Sequence, residues 1–182
     1  MIIFMKKILI LITLILVSLT GFKQSDNDEV IIPDEAIRFR VVAASNSEED
    51  QQIKTQVKDA LQVEIENVLS TSKDLNETRT ILKNNINYFE DVVKRTLLTN
   101  KNMSDYKIHY GLNYFPKKEY KGVIYEEGYY ESLVVTLGNG NGDNWWCVLF
   151  PPLCLLEAQE TDTQDVEYKF FVQDLIDKYM KD

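Results

Sequence analysis

Ile37-Arg38-Phe39-Arg40-Val41-Val42-Ala43-Ala44-Ser45-Asn46-Ser47-Glu48-Glu49-Asp50-Gln51-Gln52-Ile53 is the stretch from which the architecture of this chain can be read. From Ala36, the apolar residues Ile37, Phe39 and Val41 alternate with Arg38 and Arg40, which is the period of a half-buried strand. Ser47 then opens a helix, since Ser47-x-x-Asp50 fits a capping box. Ile53, Val57, Ala60, Leu61, Ile65 and Val68 follow at helical spacing. The apolar period thus switches from two to 3.6 within a few residues, and a strand leads directly into a long helix.

Downstream, Ser70 to Lys73 break the pattern, and a second helix places Leu82, Ile86, Phe89, Val93 and Leu97 on one face. Both stripes are expected to pack on a sheet. Beyond Asn100 the chain turns to strands. Tyr106, Ile108, Tyr110 and Leu112 alternate with Lys107, His109 and Gly111. Pro116-Lys117-Lys118 makes a turn, Tyr120 to Tyr125 a short second run, and Glu126-Glu127-Gly128 a hairpin turn into Tyr129 to Leu137. The order of strand, two helices and three-stranded meander predicts an α+β fold, with a mostly antiparallel sheet and helices on one face.

Working outward to the ends gives the organisation of the 182 residues. Residues 1–23 read as a signal peptide or anchor: Lys6 and Lys7 precede the uncharged run Ile8 to Phe22, which has signal length and is short for a spanning helix. Residues 24–35 form a polar linker and residues 36–156 the α+β domain. Residues 157–182 are an acidic linker followed by an amphipathic tail helix, with Phe171, Leu175 and Tyr179 on one side. This tail is expected to be appended to the domain and to lie outside its core.

The formal net charge is -9, and a chain beginning after Lys23 is more acidic still. Phosphate backbones and anionic lipid surfaces repel such a protein, so nucleic acid is excluded as a partner class. The membrane is met only through the N-terminal segment.

Templates for catalysis fail one by one. The single histidine, His109, lies in a strand, with nothing to place it beside a nucleophile. Two cysteines and one histidine leave a zinc set incomplete. Gly138, Gly140 and Gly142 alternate without a following Gly-Lys-Ser/Thr, and a calcium loop through Asn139, Asn141 and Asp143 would put Phe150 at its acid position. The loop reads instead as a turn in which glycine supplies positive φ. No enzyme activity, metal or cofactor is expected.

Two features exceed what folding requires. Arg38 and Arg40 lie side by side on the outward face of the first strand, where Lys107 and His109 would join them if the strands are neighbours. Such a strip recognises carboxylates on a partner, or pairs with the protein's own acids. The second feature is Trp145-Trp146-Cys147-Val148-Leu149-Phe150-Pro151-Pro152-Leu153-Cys154. Covering two tryptophans removes roughly 400 Å² from water, about 10 kcal/mol of gross hydrophobic free energy. That suffices to anchor an interface through Trp145, Trp146, Phe150 and Leu153, or to close the protein's own core. Cys147 and Cys154 are compatible with a disulfide, which would contribute about 2.5 kcal/mol, or with two buried thiols.

Three blocks together resemble the stage II sporulation protein R family. They are Ile37 to Ser47 with Asp50-Gln51-Gln52-Ile53-Lys54, then Tyr130-Glu131 with Thr136 to Gly142, and Asn144 to Cys154. The last block, N-W-W-C-V-L-F-P-P-L-C, is highly specific. The resemblance runs from about Ile32 to Leu156; Ala44 and Asn46 depart from it, standing where members often have Asn and Asp. It implies a protein exported from the forespore into the intermembrane space between forespore and mother cell. There it would activate a membrane-embedded aspartic-type protease of the mother cell, which processes the precursor of sigma factor E. The resemblance carries over no catalytic residues. The alternatives are a cell-wall-acting hydrolase with Cys147 as nucleophile, or a cell-wall binding module.

Overall fold

The computed structural model describes residues 30–120, 123–154 and 165–180. The N-terminal apolar run, most of the polar linker and the acidic linker before the tail helix lie outside the described residues.

The alternation at Ile37 becomes strand β2 (Ile37–Val42), preceded by the short β1 (Val30–Ile31). Ile37, Phe39 and Val41 are fully buried on one face. Helix α1 (Glu48–Leu69) starts as its cap predicts, with the Asp50 N–H donating to Ser47 Oγ at 3.2 Å. The return bond of a capping box is redirected. The Ser47 N–H goes to Ser45 Oγ, whose own hydroxyl donates to the Asp50 carboxylate. The second helical stretch divides at Asn85 into α2 (Leu75–Asn84) and α3 (Ile86–Thr99). Asp74 caps α2, accepting from the Asn76 and Glu77 N–H groups at 2.8 Å each. Leu82, Phe89, Val93 and Leu97 of the expected stripe are buried with Val57, Leu61 and Ile65 of α1, over Phe39, Leu133, Val135 and Leu137 of the sheet.

The remaining strands are β3 (Tyr106–Phe115), β4 (Lys118–Tyr120), β5 (Val123–Tyr125), β6 (Gly128–Leu137) and β7 (Asn144–Phe150), and α4 (Asp165–Met180) follows. The main sheet has the order β3-β6-β2-β7, and β1-β5-β4 form a second, smaller sheet. The fold is α+β with a mixed sheet: β2 runs parallel to β6 and antiparallel to β7, and β3 is antiparallel to β6. The wiring of the meander differs from expectation. β3 pairs along its whole length with β6, from Tyr106 opposite Leu137 to Phe115 opposite Gly128. The Tyr120 to Tyr125 run leaves this sheet and supplies β5 to the small one. Phe115, Val123, Tyr125 and Tyr130 explain the departure, because all four are buried in a second apolar cluster behind the main sheet.

That second cluster also corrects the reading of the tail. Val172 and Ile176 of α4 are buried in it beside Val30, Ile32, Trp146 and Val148. Phe171 is 42% exposed, whereas Tyr179 meets Phe150 edge-to-face at 5.4 Å. The tail helix is therefore part of the core. Ile176→Ala is expected to lower the unfolding free energy by about 2 kcal/mol or more, and Phe170→Ala to change it by less than about 0.5 kcal/mol. Urea denaturation of the full chain checks this, and equal small effects would place the helix outside the core.

Candidate functional site

Strand alternation puts Arg38 and Arg40 opposite Phe39, as read from the sequence, but their face does not meet solvent. Arg38 is 0% exposed. Its guanidinium carbon lies 3.4 Å from the ring centre of Tyr130, 5.0 Å from that of Phe115 and 5.1 Å from that of Trp146. Phe115 and Trp146 meet edge-to-face at 5.5 Å, and Tyr125 closes on Trp146 at 5.1 Å. The rings therefore form a cage drawn from β3, β5, β6 and β7 around a cation from β2. The cage holds the charge largely by ring quadrupoles, with a long hydrogen bond from Nη2 to the Glu126 carbonyl at 3.5 Å. Among the described residues, Arg38 Nε and Nη1 have no hydrogen-bond partner. Burial brings its pKa down to about 10, against the opposing pull of Tyr130, Tyr125 and Asp34. The side chain is thus still charged at neutral pH.

Arg40 sits at the mouth of this cage, half-buried, with Nη2 donating to the Tyr114 carbonyl at 3.0 Å and its guanidinium carbon 4.1 Å from the Phe115 ring centre. Burial lowers its pKa as well. The basic strip expected across the sheet does not form. β6 separates β2 from β3, so Val134 stands between Arg40 and His109, and Thr136 between Val42 and Lys107.

The apolar segment is divided between two layers. Trp146 and Val148 enter the second cluster, while Cys147, Leu149 and Phe150 enter the first. Trp146, Phe150 and Leu153 are buried, and Trp145 is half-buried, edge-on to Phe39 at 5.8 Å with Lys58 Nζ over its ring at 5.1 Å. Cys147 and Cys154 are joined as a disulfide with Cα atoms 5.4 Å apart. Buried Gln62 of α1 donates from Nε2 to the Cys154 carbonyl at 2.9 Å, fastening this loop to the helix layer. Of the six residues nominated for partner contact, Arg38, Trp146, Phe150 and Leu153 are therefore enclosed. Only Arg40 and Trp145 keep exposed surface.

The glycine-rich loop does more than turn. Gly138 and Gly140 have φ of +52° and +66°. Gly142 has an ordinary φ, yet a Cβ there would collide with the Ser45 carbonyl. The loop lies against residues 43–46: the Gly142 N–H donates to the Ala43 carbonyl at 3.0 Å, Asn141 N–H to Ala44 O at 3.2 Å, and Asp143 N–H to Asn46 Oδ1 at 2.6 Å. Two sequence blocks nearly a hundred residues apart thus form one structure at the carboxyl ends of the parallel strands β2 and β6. Sequence reasoning missed Phe115, Tyr125 and Tyr130 as cage residues. These three aromatics lie on three separate strands, so no local periodicity pointed to them.

A family model for stage II sporulation protein R matches residues 33–160. Stage II sporulation protein R of Bacillus subtilis (strain 168) is 38% identical to this chain over 135 residues, which cover 74% of this chain and 60% of that protein. The chain thus spans less than two thirds of the curated relative it matches. No solved structure matches it.

If rings hold the Arg38 charge, removing one should cost more when the charge is present. A double-mutant cycle of Arg38→Met and Tyr130→Leu is expected to give a coupling of about 1–2 kcal/mol in urea unfolding. A coupling near zero would show that Tyr130 contributes packing alone.

Proposed function

The chain belongs to the stage II sporulation protein R family, and on that premise we propose that it is an exported, non-catalytic signal. It passes from the forespore into the space between forespore and mother cell. There it activates a membrane-embedded aspartic-type protease of the mother cell, and that protease processes the sigma factor E precursor. The role in sporulation follows from the family; the export, the partner and the activation are the proposal.

One observation carries the reading: the family match spans the whole Arg38 cage, the glycine-rich loop and the Trp–Cys segment. All three serve to build and fix a shape. The cage rings enclose a buried cation, and the loop's glycines admit backbone against backbone. The cysteine-hydrolase alternative has no support from the geometry, because the Cys147 sulfur is bonded to Cys154 and offers no thiolate in this form. A protein of this kind works through its exterior, and Arg40 and Trp145 keep surface available to it.

The test is reconstitution. The protease is placed in vesicles with its precursor substrate at the face corresponding to the cytosol, and the purified chain is added to the opposite face. Precursor cleavage, followed on gels, is expected to begin only when the chain is present and only from that side. Equal cleavage with and without the chain would contradict the proposal.

A further inference from the structure

Cys147 and Cys154 are seven residues apart, and they are fastened very differently. Cys147 lies within β7, where it pairs with Phe39 of β2 in the first core. Cys154 ends the turn that follows β7, ahead of the acidic linker to α4. That turn is tied to α1 by the Gln62 amide at the Cys154 carbonyl. Leu153 enters the second core, which also takes Val172 and Ile176 of α4, and Tyr179 of α4 meets Phe150. Turn and tail helix therefore close the molecule together. Between them and α1 lies a cavity of about 140 Å³, lined in part by Ile65, Leu69, Leu149, Phe150, Cys154 and Tyr179. A seat with such a gap gives up dispersion contacts, so the underside of the turn is incompletely packed.

The covalent bond acts at this weak place. A ring so short constrains the turn itself, and its effect falls on where the turn sits and on what packs with it. The main sheet and α1–α3 have a core of their own, with Phe39, Leu61, Phe89 and Leu133 fully buried in it. Elements with fewer contacts open at lower free energy than such a core. Both sulfurs are also enclosed, Cys147 being 2% and Cys154 3% exposed. Thiol–disulfide exchange requires a thiolate to reach a sulfur. The bond is therefore made and broken only while the turn is lifted from its seat.

We propose that the Cys147–Cys154 bond is a redox latch. In the dithiol state the main sheet and α1–α3 stay folded, while residues 151–154 and α4 are undocked. Oxidation closes both onto the second core and shuts the sulfurs away. The oxidant is a disulfide donor, a small-molecule disulfide or a Cys-x-x-Cys oxidoreductase, met outside the reducing cytosol. The Cys154 thiolate, on the lifted turn, attacks one donor sulfur, forms a mixed disulfide and expels one donor thiolate. The Cys147 thiolate then attacks the Cys154 sulfur, forms the Cys147–Cys154 bond and expels the second donor thiolate. The two cysteines lose two electrons and two protons, and the donor gains both to become two thiols. This inference rests on the export part of the reading above and is independent of the partner's identity.

The experiment compares amide hydrogen exchange of the full chain, oxidised and after reduction with dithiothreitol. Reduction is expected to speed exchange of the α4 amides by about tenfold or more, while β2 and β6 keep their protection. Oxidised glutathione added to the reduced chain should restore the slow exchange of α4. The double variant Cys147→Ala, Cys154→Ala should match the reduced chain with no reductant present. Unchanged α4 exchange on reduction overturns the latch, and so does loss of protection in β2 and β6 to the same extent as in α4. The state of the bond in cells is read by alkylating thiols before lysis. A closed bond in the exported chain supports the latch, and free thiols there overturn it. A chain that never leaves the cytosol removes the export reading, and the exchange result then decides the latch by itself.

Discussion

A guanidinium enclosed by aromatic rings, with two of its nitrogens unpartnered among the described residues, is the constraint on which the rest of this structure turns. Burying an ion costs several kcal/mol even after relaxation. Each desolvated ring over such a cation returns about 2 kcal/mol, and Arg38 has three within 5.1 Å. The charge can stay inside only while Tyr130, Phe115 and Trp146 remain in place together. Those rings come from β6, β3 and β7, and Arg38 itself from β2, so one side chain fixes the relation of all four strands of the main sheet. A slip of β2 by one residue would carry Arg38 into the apolar layer under α1 and bring Phe39 into the cage.

Neighbouring residues on β7 extend this constraint to the opposite layer. Trp146 belongs to the cage, and Cys147 beside it belongs to the helix-covered core and is bonded to Cys154. Cys154 is in turn held by Gln62 from the middle of α1. Phe150 reaches Tyr179 of α4, and α4 closes the second core through Val172 and Ile176. The Trp–Cys segment is thus the seam between two cores, and its density of apolar residues reflects demand from both sides. Little of that segment is then left as surface for a partner, beyond half-buried Trp145.

Much of this was visible in the residues, and the failures share one cause. The strand at Ile37 and the helix after Ser47 were legible because their signals are local: alternation, a capping side chain and a regular stripe. The break at Asn85 was not legible, since the stripe of Leu82, Ile86 and Phe89 continues through it. Strand alternation correctly set Arg38 opposite Phe39, and the ordinary preference of arginine for solvent then misplaced it. The face that carries Arg38 is backed by an apolar cluster that includes Val30, Val123, Tyr125 and Ile176, in pieces too short or too far apart to show a period. The same limit applies to Gly142, where the need for glycine arises from the Ser45 carbonyl, nearly a hundred residues away in the chain.

The side-chain NMR signal of Arg38 tests the cage most directly. Its Nε–H lies among aromatic rings and away from water, so it should resonate far from the position of an ordinary arginine and exchange slowly with solvent at neutral pH. Arg95, exposed on α3, provides the internal standard. An Arg38 signal with the shift and rapid exchange of Arg95 would show that the guanidinium lies in water, and the account of how these layers are joined would fail.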